Sequence, residues 1–366
     1  MRIVINGDAL DLQYAGVHFY VKNLLEEISD VGCDHEIIVL TPIKQKPTAD
    51  SIHFVHVPLY TWIPFFQMIR LFILMPIAAI RYKADVFIEP AHFGPFLLPE
   101  RIKRVTVIHD MTPLLYPEWH TLRGWMLQKA FLPSIIRRAD LIITNSAYTK
   151  SDIVRLTGKD PNRIAFSHLG VDPSFKPTNN KLIIQKIGIT FSYILYLGTI
   201  EPRKNIENLI EAFEKFKSLN KDSELKLVIA GKMGWKTEQI KKKLESSAVK
   251  DDIVLPGYVN RSDMPSLYSH AKMVIYPSLY EGFGMPIIEA MACGVPVLCS
   301  NVSSMPEVGG CHAFYFDPND PHSICETMVH VHEQKEYNSK KAIAYAQSFS
   351  WKEMATDIIR AIEKLL

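Results

Sequence analysis

Glu281-Gly-Phe-Gly-Met-Pro-Ile-Ile-Glu289 sets two carboxylates eight positions apart across a glycine-bearing turn that opens into a helix. Gly282 and Gly284 allow a tight turn and a close approach of ligand to backbone, and Pro286 suits the first helical turn. The amides of that turn face outward at the positive end of the helix dipole, a site for an anion such as a diphosphate. With Glu281 on the loop and Glu289 in the first two turns, both can address one cleft, one for sugar hydroxyls and one for ribose hydroxyls. Met273-Val-Ile-Tyr276 before the motif and Val295-Pro-Val-Leu-Cys299 after it read as strands, which makes the motif part of a βαβ unit.

The same alternation runs outward through the chain. Strands are expected near 2–6, 36–41, 52–57, 84–88, 104–108, 140–144 and 163–166, with helices near 16–30, 62–81, 121–139 and 147–157. A second series restarts at Tyr193-Ile-Leu-Tyr-Leu-Gly198 and continues at Leu225–Ala230 and Ile253–Leu255. Val171 to Asn180, with two prolines among polar residues, reads as the linker between the two halves. Ser350 can cap a final amphipathic helix that ends the chain at Leu366.

A length of 366 residues suits two cores, and 48% hydrophobic with 22% charged residues supplies both without a sign of extensive disorder. A net charge of +2 gives no footprint for duplex nucleic acid. The cysteines at 33, 293, 299, 311 and 325 have no C-x-x-C spacing, which argues against a disulfide framework and a zinc site; no metal is expected. With no leader-like n-region and h-region at Met1, a cytoplasmic location is expected.

The E-x7-E stretch with Ala290-Met-Ala-Cys-Gly-Val-Pro-Val297 resembles the signature of the family 4 retaining glycosyltransferases. In the order known from that family come the glycine-bearing loop after the first strand (Ile3 to Gly16), Val107-Ile-His-Asp-Met111, Ile143-Thr-Asn-Ser146 and Leu169-Gly-Val-Asp172. Tyr196-Leu-Gly198, Glu201-Pro-Arg-Lys-Asn205 and Pro256-Gly-Tyr-Val259 follow. The resemblance covers nearly the whole chain. It implies an α/β protein with two Rossmann-like domains facing a cleft, the GT-B arrangement. On that basis 1–172 is an acceptor-binding domain, 173–349 a nucleotide-sugar-binding domain, and 350–366 a helix returning to the first.

Arg203 and Lys204 follow a strand and loop, so both cations should project from the carboxyl edge of the second sheet, where open α/β folds bind ligands. Lys204 matches the family's phosphate-binding lysine. The chain departs from a common form of the pattern in having Thr199, not arginine, directly after Gly198, and Arg203 is the substitute cation. Glu281 is expected to contact the sugar from a solvent-facing loop, and Glu289 to hold ribose. Gly16, Gly198, Gly257, Tyr258 and Val259 are further candidates for donor contacts through backbone, with Gly282, Phe283, Gly284, Met285, Pro286 and Ile287 of the turn. His109 ends a strand of the first sheet, and the resemblance places it by the donor sugar, with Asp110 steadying its loop.

The expected activity is transfer of a hexose, with retained configuration, from a nucleotide diphosphate sugar to a glycan or polyprenyl-linked acceptor, without a cofactor. Glu201–Asn205 and Ala230-Gly-Lys-Met-Gly-Trp235 resemble bacterial mannosyltransferases of polysaccharide assembly, which favours mannose from GDP-mannose. UDP-glucose or UDP-N-acetylglucosamine donors, or a nucleotide-sugar epimerase on the same architecture, are the alternatives. Residues 59–83 carry many apolar side chains with basic but no acidic residues, and offer either a core helix or a peripheral contact with the inner face of a membrane.

Overall fold

The computed structural model describes residues 1–12, 15–31, 35–42, 52–58, 68–94, 97–221, 223–334 and 336–366. It divides into two compact units, Met1–Gly170 with Ser350–Leu366, and Val171–Phe349. Cys33 and the first part of the expected helix at 62–81 lie outside the described residues.

Unit 1 holds strands β1 (Arg2–Asn6), β2 (Glu36–Thr41), β3 (Ile52–His56), β4 (Val86–Glu89), β5 (Lys103–Ile108), β6 (Leu141–Thr144) and β7 (Ile164–Phe166). They pair in parallel in the order β3-β2-β1-β4-β5-β6-β7. The β-branched runs suit burial on both faces of a parallel sheet, and Ile3, Val4 and Ile5 are fully buried. The helices include α1 (Ala15–Asp30), α2 (Met75–Arg81), α3 (Leu122–Arg138) and α4 (Ala147–Thr157). A π-helical turn, Arg70–Leu74, leads into α2. It carries Arg70 fully inside, where the guanidinium meets the Asp8 carboxylate at 2.7 Å.

Unit 2 holds β8 (Tyr193–Leu197), β9 (Lys226–Ala230), β10 (Ile253–Gly257), β11 (Met273–Tyr276), β12 (Val297–Ser300) and β13 (Phe314–Phe316), ordered β10-β9-β8-β11-β12-β13 and again parallel. Strand β13, three residues long, is absent from the sequence expectations. Helix α5 (Ile206–Leu219) follows β8 and buries Ile206, Leu209, Ile210, Phe213 and Phe216, a stripe at helical spacing. Helix α6 (Met285–Ala292) is the helix of the E-x7-E stretch.

Helix α7 (Trp351–Glu363) closes the chain and packs on α1 in unit 1. Ser350 Oγ accepts from the Glu353 amide at 3.3 Å, and Ser167 Oγ donates to Asp357 at 2.8 Å. A Cβ on Gly170 would lie 2.2 Å from the Trp351 backbone nitrogen, so only glycine admits this contact.

Both sheets share one property that positions chemistry. The strand order reverses direction between β1 and β4 in unit 1 and between β8 and β11 in unit 2. Loops leaving the carboxyl ends of those neighbours diverge to opposite faces and leave a crevice at the switch point.

Candidate functional site

At the unit 2 switch point, the chain leaves β8 and tightens into a 3₁₀ turn, Pro202–Lys204. Asn205 then takes a left-handed conformation (φ 58°) at the entry to α5, held by its side-chain amide to the Pro277 and Pro318 carbonyls at 3.1 and 2.7 Å. This fixes the two preceding cations. The loop leaving β11 supplies their counter-charge. Lys204 Nζ donates to Glu281 Oε1 at 2.6 Å and to the Tyr276 hydroxyl at 2.7 Å, and lies 4.8 Å from the centre of the Tyr276 ring. Arg203 Nη1 sits 2.6 Å from Glu281 Oε2 and donates to the Tyr280 carbonyl at 3.0 Å, while Nη2 donates to Glu201 Oε1 at 3.0 Å.

Glu281 was expected on a solvent-facing loop, and the structure corrects this: it is 7% exposed. Burial alone would raise its pKa, but the Arg203 guanidinium and Lys204 ammonium outweigh it and hold the carboxyl at about 2. Burial lowers the Lys204 pKa, against the opposing pull of Glu281. Two acids and two cations thus share one water-poor crevice, where an unpaired member would cost several kcal/mol.

The turn after Glu281 is built for position. Its amide donates to Ser303 Oγ at 3.0 Å, and Ser304 Oγ donates towards the carbonyls of Glu281 and Phe283 at 2.9 and 2.8 Å. Gly284 adopts φ 107°, a conformation closed to most L side chains, and starts α6 with Pro286 in its first turn. Gly282, Phe283, Gly284 and Ile287 are buried, with Met285 and Pro286 half-buried. The Phe283 and Ile287 side chains are therefore core, and what they offer a ligand is backbone.

Glu289, expected from the resemblance to hold ribose, is engaged within unit 2 in this structure. It is 4% exposed, with Oε1 accepting from Arg261 Nη1 at 3.1 Å and Oε2 from the Tyr268 hydroxyl at 3.3 Å. Arg261 also stacks on Phe175, 4.8 Å from its ring centre. Burial outweighs Arg261 and raises the Glu289 pKa. Both carboxylate oxygens already have partners within unit 2.

The remaining unit 2 candidates lie at carboxyl ends of strands. Gly198 bonds the Ala230 carbonyl through its amide at 3.0 Å. Gly257 has φ 80°, Tyr258 is 58% exposed with Lys232 Nζ 4.5 Å from its ring centre, and Val259 is buried.

In unit 1, Gly16 lies in the first turn of α1 and is exposed, with open space where a Cβ would be, so nothing within the unit demands glycine there. His109 is held on every side. Its Nε2 meets the Pro90 carbonyl at 2.8 Å, which can only accept, so Nε2 carries the proton. The neutral ring then accepts at Nδ1 from Asn145 Nδ2, at 2.8 Å. Its backbone amide donates to His92 Nε2 at 2.5 Å, and the two imidazoles stack at 5.1 Å. Burial, followed by the neighbouring His92, pushes the His109 pKa down to about 4. Asp110 accepts from the amide and hydroxyl of Thr112 at 2.9 and 2.6 Å. The ring of His109 is committed within its own unit, and its main-chain carbonyl lies at the sheet edge.

At the unit 1 switch point Glu89 ends β4 with 2% exposure and accepts from Asn6 Nδ2, at the end of β1, at 2.8 Å. Burial, with Asp8 adding to it, raises its pKa to about 8 despite the opposing bond from Asn6.

Sequence reasoning missed Glu201, Tyr276, Ser303, Ser304, Arg261 and Tyr268 in unit 2, and Glu89, His92 and Asn6 in unit 1. Tyr276, Asn6 and Glu89 each end a strand beside a switch point, a signal that would have found them. The serines and Arg261 act across loops and carry no spacing signal.

Comparison with known proteins assigns the chain. The family profile "Glycosyl transferases group 1" matches residues 180–365, and "Glycosyltransferase Family 4" matches residues 14–175. The chain is 35% identical over 283 residues to O-antigen chain mannosyltransferase B of Escherichia coli, across 75% of this chain and 74% of that one. It is 31% identical over 278 residues to the serotype-specific mannosyltransferase WbdA of Escherichia coli, across 72% of this chain but 34% of that one, so it spans about a third of that longer protein. Among solved structures, sucrose-phosphate synthase from Thermosynechococcus elongatus superimposes with a TM-score of 0.78 at 16% identity, covering 100% of this chain and 99% of that one. Profiles spanning both units, a relative matched over three quarters of the chain and a shared two-sheet fold agree: the chain belongs to the family 4 glycosyltransferases of the GT-B fold.

Proposed function

We propose that this glycosyltransferase moves mannose from GDP-mannose, with retained configuration, to a glycan or polyprenyl-linked acceptor during synthesis of a cell-surface polysaccharide, and that it works in the cytoplasm. The observation that carries the reading is the meeting of Arg203, Lys204 and Glu281 at the unit 2 switch point. The likeness to an O-antigen chain mannosyltransferase supports the choice of mannose and of a polysaccharide.

In the proposed reaction the bond from the anomeric carbon to the diphosphate oxygen breaks, and a bond to the acceptor oxygen forms on the same face. The acceptor proton passes to the departing phosphate. Negative charge grows on the diphosphate as the bond breaks, and preorganised cations in a dry crevice stabilise that charge without reorganising. Lys204 has one hydrogen beyond its two bonds, and Arg203 also faces the crevice. Glu281 holds both cations in place and, as a carboxylate, accepts hydrogen bonds from sugar hydroxyls. The main-chain carbonyl of His109 serves the cationic sugar, and the neutral ring keeps that carbonyl aimed. With Arg203 and Lys204 neutralising the diphosphate, transfer proceeds in the presence of a chelator.

A panel of radiolabelled donors (GDP-mannose, UDP-glucose, UDP-galactose and UDP-N-acetylglucosamine), each with and without a lipid extract and with EDTA throughout, tests the reading. Transfer or slow hydrolysis of GDP-mannose alone is expected. Turnover of a UDP-sugar in its place would reassign the donor, conversion of the donor to the epimeric sugar on the same nucleotide without transfer would revive an epimerase, and recovery only on adding magnesium or manganese would overturn the phosphate site.

A further inference from the structure

The loop that leaves β5 carries an aromatic cluster that no step of the proposed reaction uses. After His109 and Asp110 the chain makes one turn of helix, Thr112–Leu115, and a 3₁₀ turn, Pro117–Trp119. Pro113 and Pro117 fix φ in the two turns. The Tyr116 amide donates to the Thr112 carbonyl at 2.8 Å, and the Trp119 amide to the Tyr116 carbonyl at 3.1 Å. On this braced loop the Tyr116 and Trp119 rings stack 17° from parallel with their centres 4.0 Å apart. Both are half-buried, whereas the stacked rings of Phe213 and Phe216 are wholly core.

Two neighbouring elements place this pair. Tyr148 lies in the first turn of α4 and is 39% exposed. Its pKa is raised by burial, then by Asp152 and by Tyr116, so its hydroxyl is within electrostatic reach of the stack. Asn145, just before the Ser146 cap of α4, donates to the His109 ring. At the far end of the loop, burial lowers the His92 pKa, with Asp110 opposing and the nearby His120 adding to it, and His92 stacks on His109. The cluster therefore borders the end of β5, where the resemblance places the donor sugar. Charge around it is mixed. Glu118 is exposed, Asp110 is bonded to Thr112, Arg155 is paired with Asp152 at 2.6 Å, and Arg123 and Lys150 lie on the adjoining helices.

Flat rings with a mixed polar border suit a neutral sugar. A pyranose carries C–H bonds on its faces and hydroxyls around its rim. The slightly positive C–H hydrogens meet the negative face of an aromatic ring, and the rim hydroxyls call for both donors and acceptors. An anionic group would call for an excess of cations, which this border does not have. Rings held on a braced loop also lose little freedom when a ligand binds. We propose that Tyr116, Trp119 and Tyr148 form a subsite on which one pyranose ring of the glycan acceptor stacks. The inference rests on the reading of the chain as a transferase with a glycan acceptor, and adds to it the residues that hold that acceptor.

Titration of the lipid extract at a saturating concentration of the radiolabelled donor that the parent uses tests this on the full chain. Trp119→Ala should raise the KM for the extract about tenfold with kcat little changed, and with GDP affinity and thermal unfolding as in the parent. Trp119→Phe should recover most of the loss, because a phenyl ring still offers a face. Tyr148→Ala, at an exposed position, should raise the same KM about threefold, and keeps the test decisive if Trp119→Ala does not fold. An extract KM equal to the parent's in both alanine variants overturns the subsite and leaves the transferase reading standing. A fall in kcat at unchanged KM overturns it in favour of a loop that only braces His109. If the parent transfers sugar from no donor of the panel, the transferase reading fails and the subsite falls with it.

Discussion

The two switch points are built on the same sheet topology and each buries a glutamate, yet they hold those glutamates in opposite states. Glu281 in unit 2 is held at about 2 by two cations, and Glu89 in unit 1 is pushed to about 8 with neutral donors, the Asn6 side-chain amide and the Ala91 backbone amide, on its carboxyl. Arg70, the nearby cation in unit 1, is occupied by Asp8. Burial is similar in both places, at 7% and 2% exposure, so the partners decide. Unit 2 keeps ions in its crevice, which suits the proposed binding of a charged diphosphate. Unit 1 keeps two neutral groups there beside the Arg70–Asp8 ion pair: a protonated Glu89 below pH 8 and an uncharged His109 above pH 4.

The strongest test of this contrast is Glu281→Gln. It leaves the buried Lys204 without its carboxylate and the half-buried Arg203 with Glu201 but without Glu281, which should cost about 3–5 kcal/mol in urea unfolding at neutral pH and lower kcat by about 10²-fold or more. Its folded pKa lies below the ordinary 4.5, so the parent carries this stability above pH 4.5 and loses it as pH falls towards about 2. The acid limb of stability should therefore flatten in the variant. A variant as stable as its parent would remove the ionic half of the comparison.

Glu89→Gln should act in the reverse direction. The raised pKa makes the protonated form the one that suits the fold, so the parent loses stability as pH rises from about 4.5 through about 8. The amide mimics that form and should leave the protein more stable than its parent at pH 9, on the order of 3 kcal/mol. Urea midpoints at pH 5 and pH 9 measure it. Equal stability of the two proteins at pH 9 would show that Glu89 ionises freely and that the units do not differ in this respect.

Lys204→Ala sharpens the ligand side of the comparison. Loss of a charge-assisted contact in a largely dry crevice should weaken binding of the nucleoside diphosphate product by about 1.5–3 kcal/mol, roughly 10- to 150-fold in Kd. Calorimetric titration with GDP and UDP reads this and ranks the bases. Undiminished affinity would make Arg203 the phosphate contact. The smallest effect is expected from Asn145→Ala, which leaves His109 Nδ1 without its donor; a neutral hydrogen bond of this kind contributes about 1 kcal/mol, seen in urea unfolding near neutral pH. A loss as large as that from Glu281→Gln would mean that the neutral network of unit 1 matters as much as the ions of unit 2.

What the sequence determined by itself was local. Runs such as Tyr193–Leu197 and Val105–Ile108 declared strands because β-branched and aromatic residues pack on both faces of a parallel sheet. The glycines and proline of the E-x7-E turn declared a loop entering a helix because few other residues adopt those backbone angles, and the adjacency of Arg203 and Lys204 to a strand end placed them at a ligand-binding edge. Only tertiary structure decided what each charge faces. Lys204 and Glu281 are 77 positions apart, Asn6 and Glu89 83, and Arg261 and Glu289 28, and no local pattern encodes such pairings. Glu281 therefore reads from the sequence as exposed and Glu289 as free for ribose, while Glu89 does not stand out at all. The state of a buried carboxylate depends on which groups the fold brings within a few ångströms of it, since desolvation and partner charge are large opposing terms and only the full set of neighbours gives their difference.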